Sequence, residues 1–489
     1  MEKIWEQCLK KVRQGLARGE YRASLQELRR LQAREDFPPK DQWQLDELCG
    51  AVFAGLLDME RAAAAYWQAS THDCYLRSQL EHYSSYLFCL HYLPDITPEE
   101  LLQAHAFYNR MFAAVEPWEH TPGQRQKTKL RIGYISGDFH EHTSARFIQP
   151  LLRCRDTERY EAYVYDLHEQ EDWLTKRFRG MADNWRNLSG MPFAAAARQI
   201  YEDQIDILFD LAGHSSGGVS LILAGHKPAP IQLSGIGWFD TTGLAAMDYF
   251  LTDTCCAPPG AAGFTEQLVR LEASHLCYMP IRPLPELGVY AVHRPFTFGC
   301  FNNFAKLTQE MLILWLTIVR SVPGARLLLK DTAAAPERCQ VLRERMLQMG
   351  WQADEFELRS GSENYLQEFA ALDIALDPYP YPGGGMTCEA LLMGVPVITL
   401  AGSHHSSRFG VSLLGNAGLS ALIAENPAAY KAKALELAAD IERLENLHRT
   451  LRLSMERSPL MDGPGYMRAL EAAYERMWAA WCSGTRMDR

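Results

Sequence analysis

DIALDPYPYPGGGMTCEALLMGVPVITLAGSHHSSR, residues 373–408, decides the fold. A short apolar run, Asp373 to Asp377, reads as a buried strand and leads into a bend rich in Pro and Tyr. Gly383, Gly384 and Gly385 then open a helix expected over Met386–Met393, which Gly394 and Pro396 stop before a second strand, Val397–Leu400. A glycine turn between a parallel strand and a helix lets backbone N–H groups approach an anion, and the helix N-terminus adds partial positive charge. The glycine spacing fits neither the dinucleotide nor the P-loop signature, so the turn alone leaves an ordinary βαβ connection equally open.

The same alternation extends through most of the chain. Upstream, Phe296–Phe301 reads as a strand, followed by a helix over Thr308–Val322, a strand over Ala325–Lys330, a helix over Pro336–Met349 and a strand over Phe356–Leu358. Before a Pro-rich stretch at about 279–295, an earlier series starts with the strand Leu130–Ser136. It continues with a helix (Ser144–Cys154), a strand (Tyr160–Leu167), two helices (Trp173–Met181 and Pro192–Asp203) and a strand (Ile205–Leu211). Strands alternating with helices predict doubly wound parallel sheets, whose ligands lie beyond the carboxyl ends of the strands. The fold class is therefore α/β, with two nucleotide-fold halves facing across a cleft: residues 130–285 and 296–489. The helical runs after Leu422, Ala428–Met455 and Gly465–Trp481, close the second half and are long enough to cross back over the first sheet.

Residues 1–120 read as all helical. Gly19–Leu31 and Leu57–Ser70 share a turn followed by Ala and Leu at helical spacing, like two degenerate tetratricopeptide repeats. Another helical block spans Tyr75–Tyr92. Thr97, Pro98 and Glu100 then form a capping-box signature opening a helix to about Ala114. The polar stretch Glu116–Lys129 reads as a linker.

Composition excludes several classes. With 489 residues and 47% apolar content, the chain can bury two or three cores. A net charge of −11 argues against a nucleic-acid partner, because phosphate-tracking surfaces are basic. No apolar run reaches 18 residues, so no membrane span is expected, and the charged amphipathic start is unlike a signal peptide. Twelve cysteines without a C-x-x-C pair suit reduced thiols and a cytoplasmic setting.

Candidate chemistry gathers at strand ends. Asp138, His140 and His142 follow one strand, and Asp210 and His214 follow another; each alone suits a helix cap or an exposed loop, but the set suggests a site. In the second half Asn302, Asn303 and Lys306 follow Phe301. The amides suit a base or sugar, and the lysine offers a compact charge for a phosphate. Glu389, one turn into the glycine-opened helix, suits ribose hydroxyls and also the helix dipole. Tyr365, Tyr379 and Tyr381 suit stacking or plain packing. The pair His404-His405 does not suggest a metal site, since neighbours on a strand point to opposite faces and no carboxylate lies close in sequence.

Four blocks together resemble the catalytic region of the protein O-GlcNAc transferases and the SPINDLY-type O-fucosyltransferases, including their bacterial relatives. They are ISGDFHEHTSARF (135–147), DILFDLAGHSSGG with KPAPIQLSGIGWFDTTGLAAMDYFLTD (206–253), FGCFNNFAKLTQEML (298–312), and the opening stretch. LHYLPDITPEE (90–100) resembles the junction before that region. The resemblance implies a GT-B fold without a metal ion or cofactor, and transfer of a sugar, with inversion, from a nucleotide-sugar to Ser or Thr of a protein. UDP-GlcNAc is the expected donor, with GDP-fucose or UDP-glucose as alternatives. The expected acceptor is a protein such as a flagellin or surface adhesin. The resemblance also gives roles to residues. Lys306 matches the pyrophosphate-contacting lysine and Asn303 a neighbouring amide. Glu389 matches the ribose-binding acid, and His142 matches a histidine near the acceptor that is considered as a base. Two positions depart from the pattern. Gly385-Met386 stand where relatives carry paired threonines, leaving Thr387 alone, and Tyr365 stands where many carry a histidine.

Overall fold

A computed structural model describes residues 4–34, 37–122 and 127–485. Its strands fall into two parallel sheets. The first contains β1 (Leu130–Ser136), β2 (Tyr160–Asp166), β3 (Asn184–Asn187), β4 (Ile207–Asp210), β5 (Ile231–Ser234), β6 (Tyr249–Asp253) and β7 (Gln267–Leu271), in the order β3-β2-β1-β4-β5-β6-β7. The second contains β8 (Thr297–Phe301), β9 (Arg326–Lys330), β10 (Phe356–Arg359), β11 (Ile374–Leu376), β12 (Val397–Leu400) and β13 (Ile423–Ala424), in the order β10-β9-β8-β11-β12-β13. Central strands such as β4, β5, β8, β11 and β12 are buried along their whole length. That burial is why they read as continuous apolar runs rather than alternating ones. Each sheet reverses its winding once, between β1 and β4 and between β8 and β11, and these are the points at which such sheets open a crevice for ligands. Two doubly wound halves with an all-helical start are the composition expected of the GT-B class.

The chain forms two compact units, Met1–Ile96 with Leu284–Met455, and Thr97–Pro283 with Glu456–Arg489. Helices α1 (Ile4–Ala17), α2 (Tyr21–Gln32), α3 (Gln42–Gly55), α4 (Met59–His72) and α5 (Leu76–Leu90) belong to the unit of the six-stranded sheet, and α6 (Pro98–Arg110) to the other. The helix Pro336–Gln348 shows how the first group is held. Its Glu337 carboxylate accepts the Tyr21 and Arg22 amides that open α2, at 2.5 and 3.1 Å. Its Arg345 donates to the Leu56 and Leu57 carbonyls that follow α3, at 2.9 and 2.8 Å. Helix termini leave such groups unpaired, so the repeat-like helices find their caps on the nucleotide-fold half. Between repeats, Gly50 and Gly55 lie under the rings of Tyr66 and Tyr21, where an added Cβ would overlap the ring.

In the unit of the seven-stranded sheet, Thr97 and Glu100 form the expected capping box at the start of α6. The stretch expected as a linker is tied down where it is described: Trp118 N–H donates to His226 O at 2.9 Å, and a ring nitrogen of His120 lies 2.8 Å from Lys227 O. Residues 123–126 lie outside the described residues. The long final helix, Gly463–Cys482, also belongs here, and its Glu471 carboxylate accepts the Asp156 amide at 2.8 Å. The helical run expected over Ala428–Met455 is instead two helices, Pro427–Ala439 and Ile441–Glu456. Asp440 separates them and caps the second through the Arg443 amide at 3.0 Å. Among the described residues no helix is long and apolar enough to cross a membrane.

Candidate functional site

In the six-stranded unit the two turns at the winding reversal meet. β8 ends at Phe301 and is followed by the turn 302–306; β11 ends at Leu376 and is followed by Asp377 and the Pro/Tyr bend. Because β8 and β11 pair directly, their carboxyl ends emerge side by side. Lys306 crosses from one turn to the other. Its Nζ donates to Pro382 O at 3.0 Å and sits 3.7 Å from the centre of the Tyr381 ring. The ammonium is set deep among protein atoms, although part of the side chain stays open. Desolvation lowers its pKa from 10.5 to about 8, against the opposing charges of Asp377 and Cys300.

Asp377 holds the glycine turn from beneath. One carboxylate oxygen accepts Gly383 N–H at 2.7 Å, and the other accepts the Thr399 hydroxyl at 2.9 Å. Thr387 Oγ1 lies 3.5 Å from the first. Burial pushes the Asp377 pKa up to about 6, while the Gly383 amide, the Thr399 hydroxyl and the Lys306 charge pull it down. Gly383 is required here because an added Cβ would overlap Thr387 Oγ1. Gly384 is open on that side, with no atom within 4 Å of an added Cβ. The helix it introduces, Gly385–Leu392, has no side-chain cap, so its first-turn amides remain available to an anion. Met386, the second residue of the helix, is only partly buried.

The other candidates of this unit surround the same turns. Tyr365 donates its hydroxyl to Glu389 Oε1 at 2.7 Å, bringing the two together across 24 residues. Glu389 is 2% exposed. Asn303 Oδ1 accepts both the Ala305 amide, at 3.0 Å, and Arg338, at 2.5 Å. With its oxygen so occupied, its amide NH2 is the group turned to other use. Arg338 is itself paired with Asp331 at 2.6 Å, and Asp331 accepts the Phe304 amide at 3.1 Å. Asp377, Asp331 and Arg338 were not singled out from sequence. The available signal was an aspartate just past the end of a buried strand, as at β9 and β11. His404 and His405 lie past β12 in a turn, not on a strand. His404 Nδ1 lies 2.8 Å from Ser406 Oγ, and burial lowers its pKa to about 4.

In the seven-stranded unit the two candidate turns have different fates. After β1, Asp138 is buried and its carboxylate lies 3.4 Å from Nδ1 of His142, whose side chain is 45% exposed. Desolvation would depress the His142 pKa, but the hydrogen bond and charge of Asp138 outweigh it, so the pKa is raised. The Ser144 amide also reaches Nδ1, at 3.3 Å. These two contacts need opposite states of Nδ1: with a proton it donates to Asp138 and leaves Nε2 as the acceptor, and without one it accepts the Ser144 amide. His140 stacks on His168, with ring centres 4.2 Å apart. After β4, Asp210 is fully buried and accepts the Ala212 and Gly213 amides and the Ser234 hydroxyl, at 3.1, 3.0 and 2.7 Å. Burial raises its pKa. His214 is 1% exposed; its Nε2 lies 2.8 Å from Thr242 O, and its ring packs against His105 and Tyr108 of α6 and against Trp238. Burial holds its pKa well below the usual histidine range.

Comparison with known proteins agrees with these halves. The profile of glycosyl transferase family 41 matches residues 110–280 and 290–470. The probable UDP-N-acetylglucosamine--peptide N-acetylglucosaminyltransferase SPINDLY of Solanum lycopersicum is 36% identical over 419 residues, covering 81% of this chain and 44% of that protein. The corresponding SEC protein of Arabidopsis thaliana is 30% identical over 393 residues, covering 75% and 39%. The chain thus spans less than half the length of these curated relatives. Among solved structures, a mutant of the Thermobaculum terrenum O-GlcNAc transferase superposes with a TM-score of 0.87 at 32% identity, covering 96% of this chain and 90% of that one. With both doubly wound halves matched, the chain belongs to glycosyl transferase family 41.

Proposed function

We propose that the protein transfers a sugar from a nucleoside-diphosphate sugar to a Ser or Thr hydroxyl of a protein, with inversion at the anomeric carbon and without a metal ion. The observation that carries this reading is the meeting of Lys306 with the glycine turn at the paired ends of β8 and β11. As the glycosidic bond breaks, the departing diphosphate gains negative charge. A partly desolvated ammonium and uncapped helix amides answer that charge without reorganising. Asn303, through its NH2, and Glu389, with Tyr365, are the groups assigned to the base and ribose. His142 is the candidate base: a neutral imidazole with Nε2 free of a proton accepts the proton of the acceptor hydroxyl as that oxygen attacks.

GlcNAc from UDP-GlcNAc is the favoured donor, supported by the UDP-N-acetylglucosamine--peptide transferase names of the relatives. GDP-fucose and UDP-glucose remain the alternatives, because Gly385-Met386 changes the wall that meets the phosphates. The acceptor proposed is a protein, such as a flagellin or surface adhesin. Hydrolysis and transfer measured with a panel of UDP- and GDP-sugars tests activity and donor together. Intact-mass spectrometry of co-expressed acceptors, followed by site mapping, separates Ser/Thr from Asn. Absence of turnover with every donor would favour an inactive helical-repeat scaffold instead.

A further inference from the structure

We propose that Tyr381 is a positioning residue for Lys306, its ring face holding the ammonium where the diphosphate leaves and its edge fixed by the helical N-terminus. The inference rests on the reading of Lys306 as the diphosphate contact. A primary ammonium has three N–H groups to direct. In Lys306 one is bonded to Pro382 O at 3.0 Å, and the ring of Tyr381 lies 3.7 Å away, inside the range of a cation–π contact. A carboxylate in the place of that ring would neutralise the lysine and compete with a phosphate. An aromatic face attracts the cation without supplying a counter-charge, so the remaining N–H is left to an anion. Among the described residues the carboxylate acting on Lys306 is Asp377, which is already engaged by the Gly383 amide and the Thr399 hydroxyl.

Tyr381 is in turn held by aromatic neighbours of its own unit. Tyr92, just after α5, meets it edge-on with ring centres 5.2 Å apart, and Phe88 of α5 meets it at 6.5 Å. Tyr92 is buried. The last helix of the N-terminal group, α5, and the residue just after it therefore set the plane on which the phosphate lysine rests. The titratable groups facing Lys306 are Asp377 after β11, Cys300 on β8 and Tyr381 in the bend. Of these, Tyr381 acts through its π face at every pH at which the protein is folded.

The test uses UDP and GDP binding to the full chain by calorimetry, in a series that keeps the ring's shape. Tyr381→Phe should bind within about twofold of the native protein, since the face is retained. Replacing that Phe with its mono-, di- and trifluorinated analogues withdraws charge from the face at nearly constant volume. Affinity should fall stepwise, by about tenfold over the series, and the upper pH limit of binding should move down with it. A purely structural ring would leave both unchanged. A flat series, or a loss already complete in Tyr381→Phe, overturns the assignment of Tyr381. Lys306→Met serves as the separate control: if it binds UDP and GDP as the native protein does, it is the reading of Lys306 that fails.

Discussion

Replacing Lys306 with Met should stabilise the unliganded protein while destroying its affinity for a nucleoside diphosphate. Desolvation lowers the Lys306 pKa from 10.5 to about 8, even with Asp377 and Cys300 pulling the other way. At 1.36 kcal/mol per pKa unit, that fall corresponds to roughly 3 kcal/mol. The folded protein releases this proton near pH 8 and the unfolded chain near 10.4. Between those values the unfolded state binds more protons, so stability rises with pH through that window, and below about pH 8 the full penalty is carried. Methionine has no charge to desolvate. Allowing for the lost π contact and the lost bond to Pro382, Lys306→Met should gain on the order of 1–3 kcal/mol at pH 7. That gain should shrink toward nothing by about pH 10.4. Urea unfolding at pH 7 and pH 10, with and without UDP or GDP, measures both effects. Diphosphate at 100 times its Kd adds about 2.7 kcal/mol to the native protein and nothing to the variant, so adding ligand should erase or reverse the order of stability. A variant less stable than the native protein at pH 7 without ligand, or one stabilised equally by UDP or GDP, would refute the reasoning.

His142→Phe should lower kcat/KM for transfer by about 10²–10⁴, and near-normal activity would remove His142 as the base. In the same assay, Asp138→Asn should move the acidic limb of the pH profile to lower pH. The hydrogen bond and charge of Asp138 raise the His142 pKa, and the base works only when neutral. Gly384→Ala adds a Cβ with no protein atom within 4 Å and at a negative φ, so thermal stability should be unchanged. UDP and GDP binding should weaken if the phosphates approach that backbone, as calorimetry would read. Met386→Thr adds a hydroxyl to the first turn of the uncapped helix and should tighten donor binding by about tenfold, the scale of one hydrogen bond to a charged group. Unchanged affinity would mean that the backbone donors already suffice.

Much of the framework was legible because the central strands are apolar along their whole length. Val397–Leu400 was read with its observed bounds, and most other elements shift by one or two residues at their ends. Five strands were not delimited from sequence: β5, β6 and β7, and the outer strands β3 and β13. Asn184–Asn187 has no apolar run to signal it, yet pairs with β2 through Tyr163 to Asp166. Ile423–Ala424 is two residues long and borrows its conformation from β12. The Lys306 and glycine turns were legible as strand ends, and the doubly wound order then makes them neighbours. What local sequence does not carry is the partner of each group. Tyr379 and Tyr381 share the bend, and only the structure shows that Tyr381 is the one lying under the ammonium, with Tyr92 and Phe88 packed against it.

The two aspartate–histidine turns of the seven-stranded sheet show why position alone does not give chemistry. Asp138 with His142, and Asp210 with His214, have the same i, i+4 spacing and follow adjacent strands. Their chemistry diverges because of what covers them. α6, about a hundred residues before His214 in sequence, sets His105 and Tyr108 against that ring, while Trp238 closes on it from another side. An imidazole so enclosed cannot take up charge cheaply and stays neutral. His142 meets solvent instead, and its nearest strong partner is a buried carboxylate, which moves its pKa in the opposite direction. A shared pattern has thus become a packed histidine in one turn and a titratable one in the other. The test is direct: NMR titration should find His142 changing charge above the ordinary histidine pKa, and His214 holding the neutral state throughout the range in which the protein is folded.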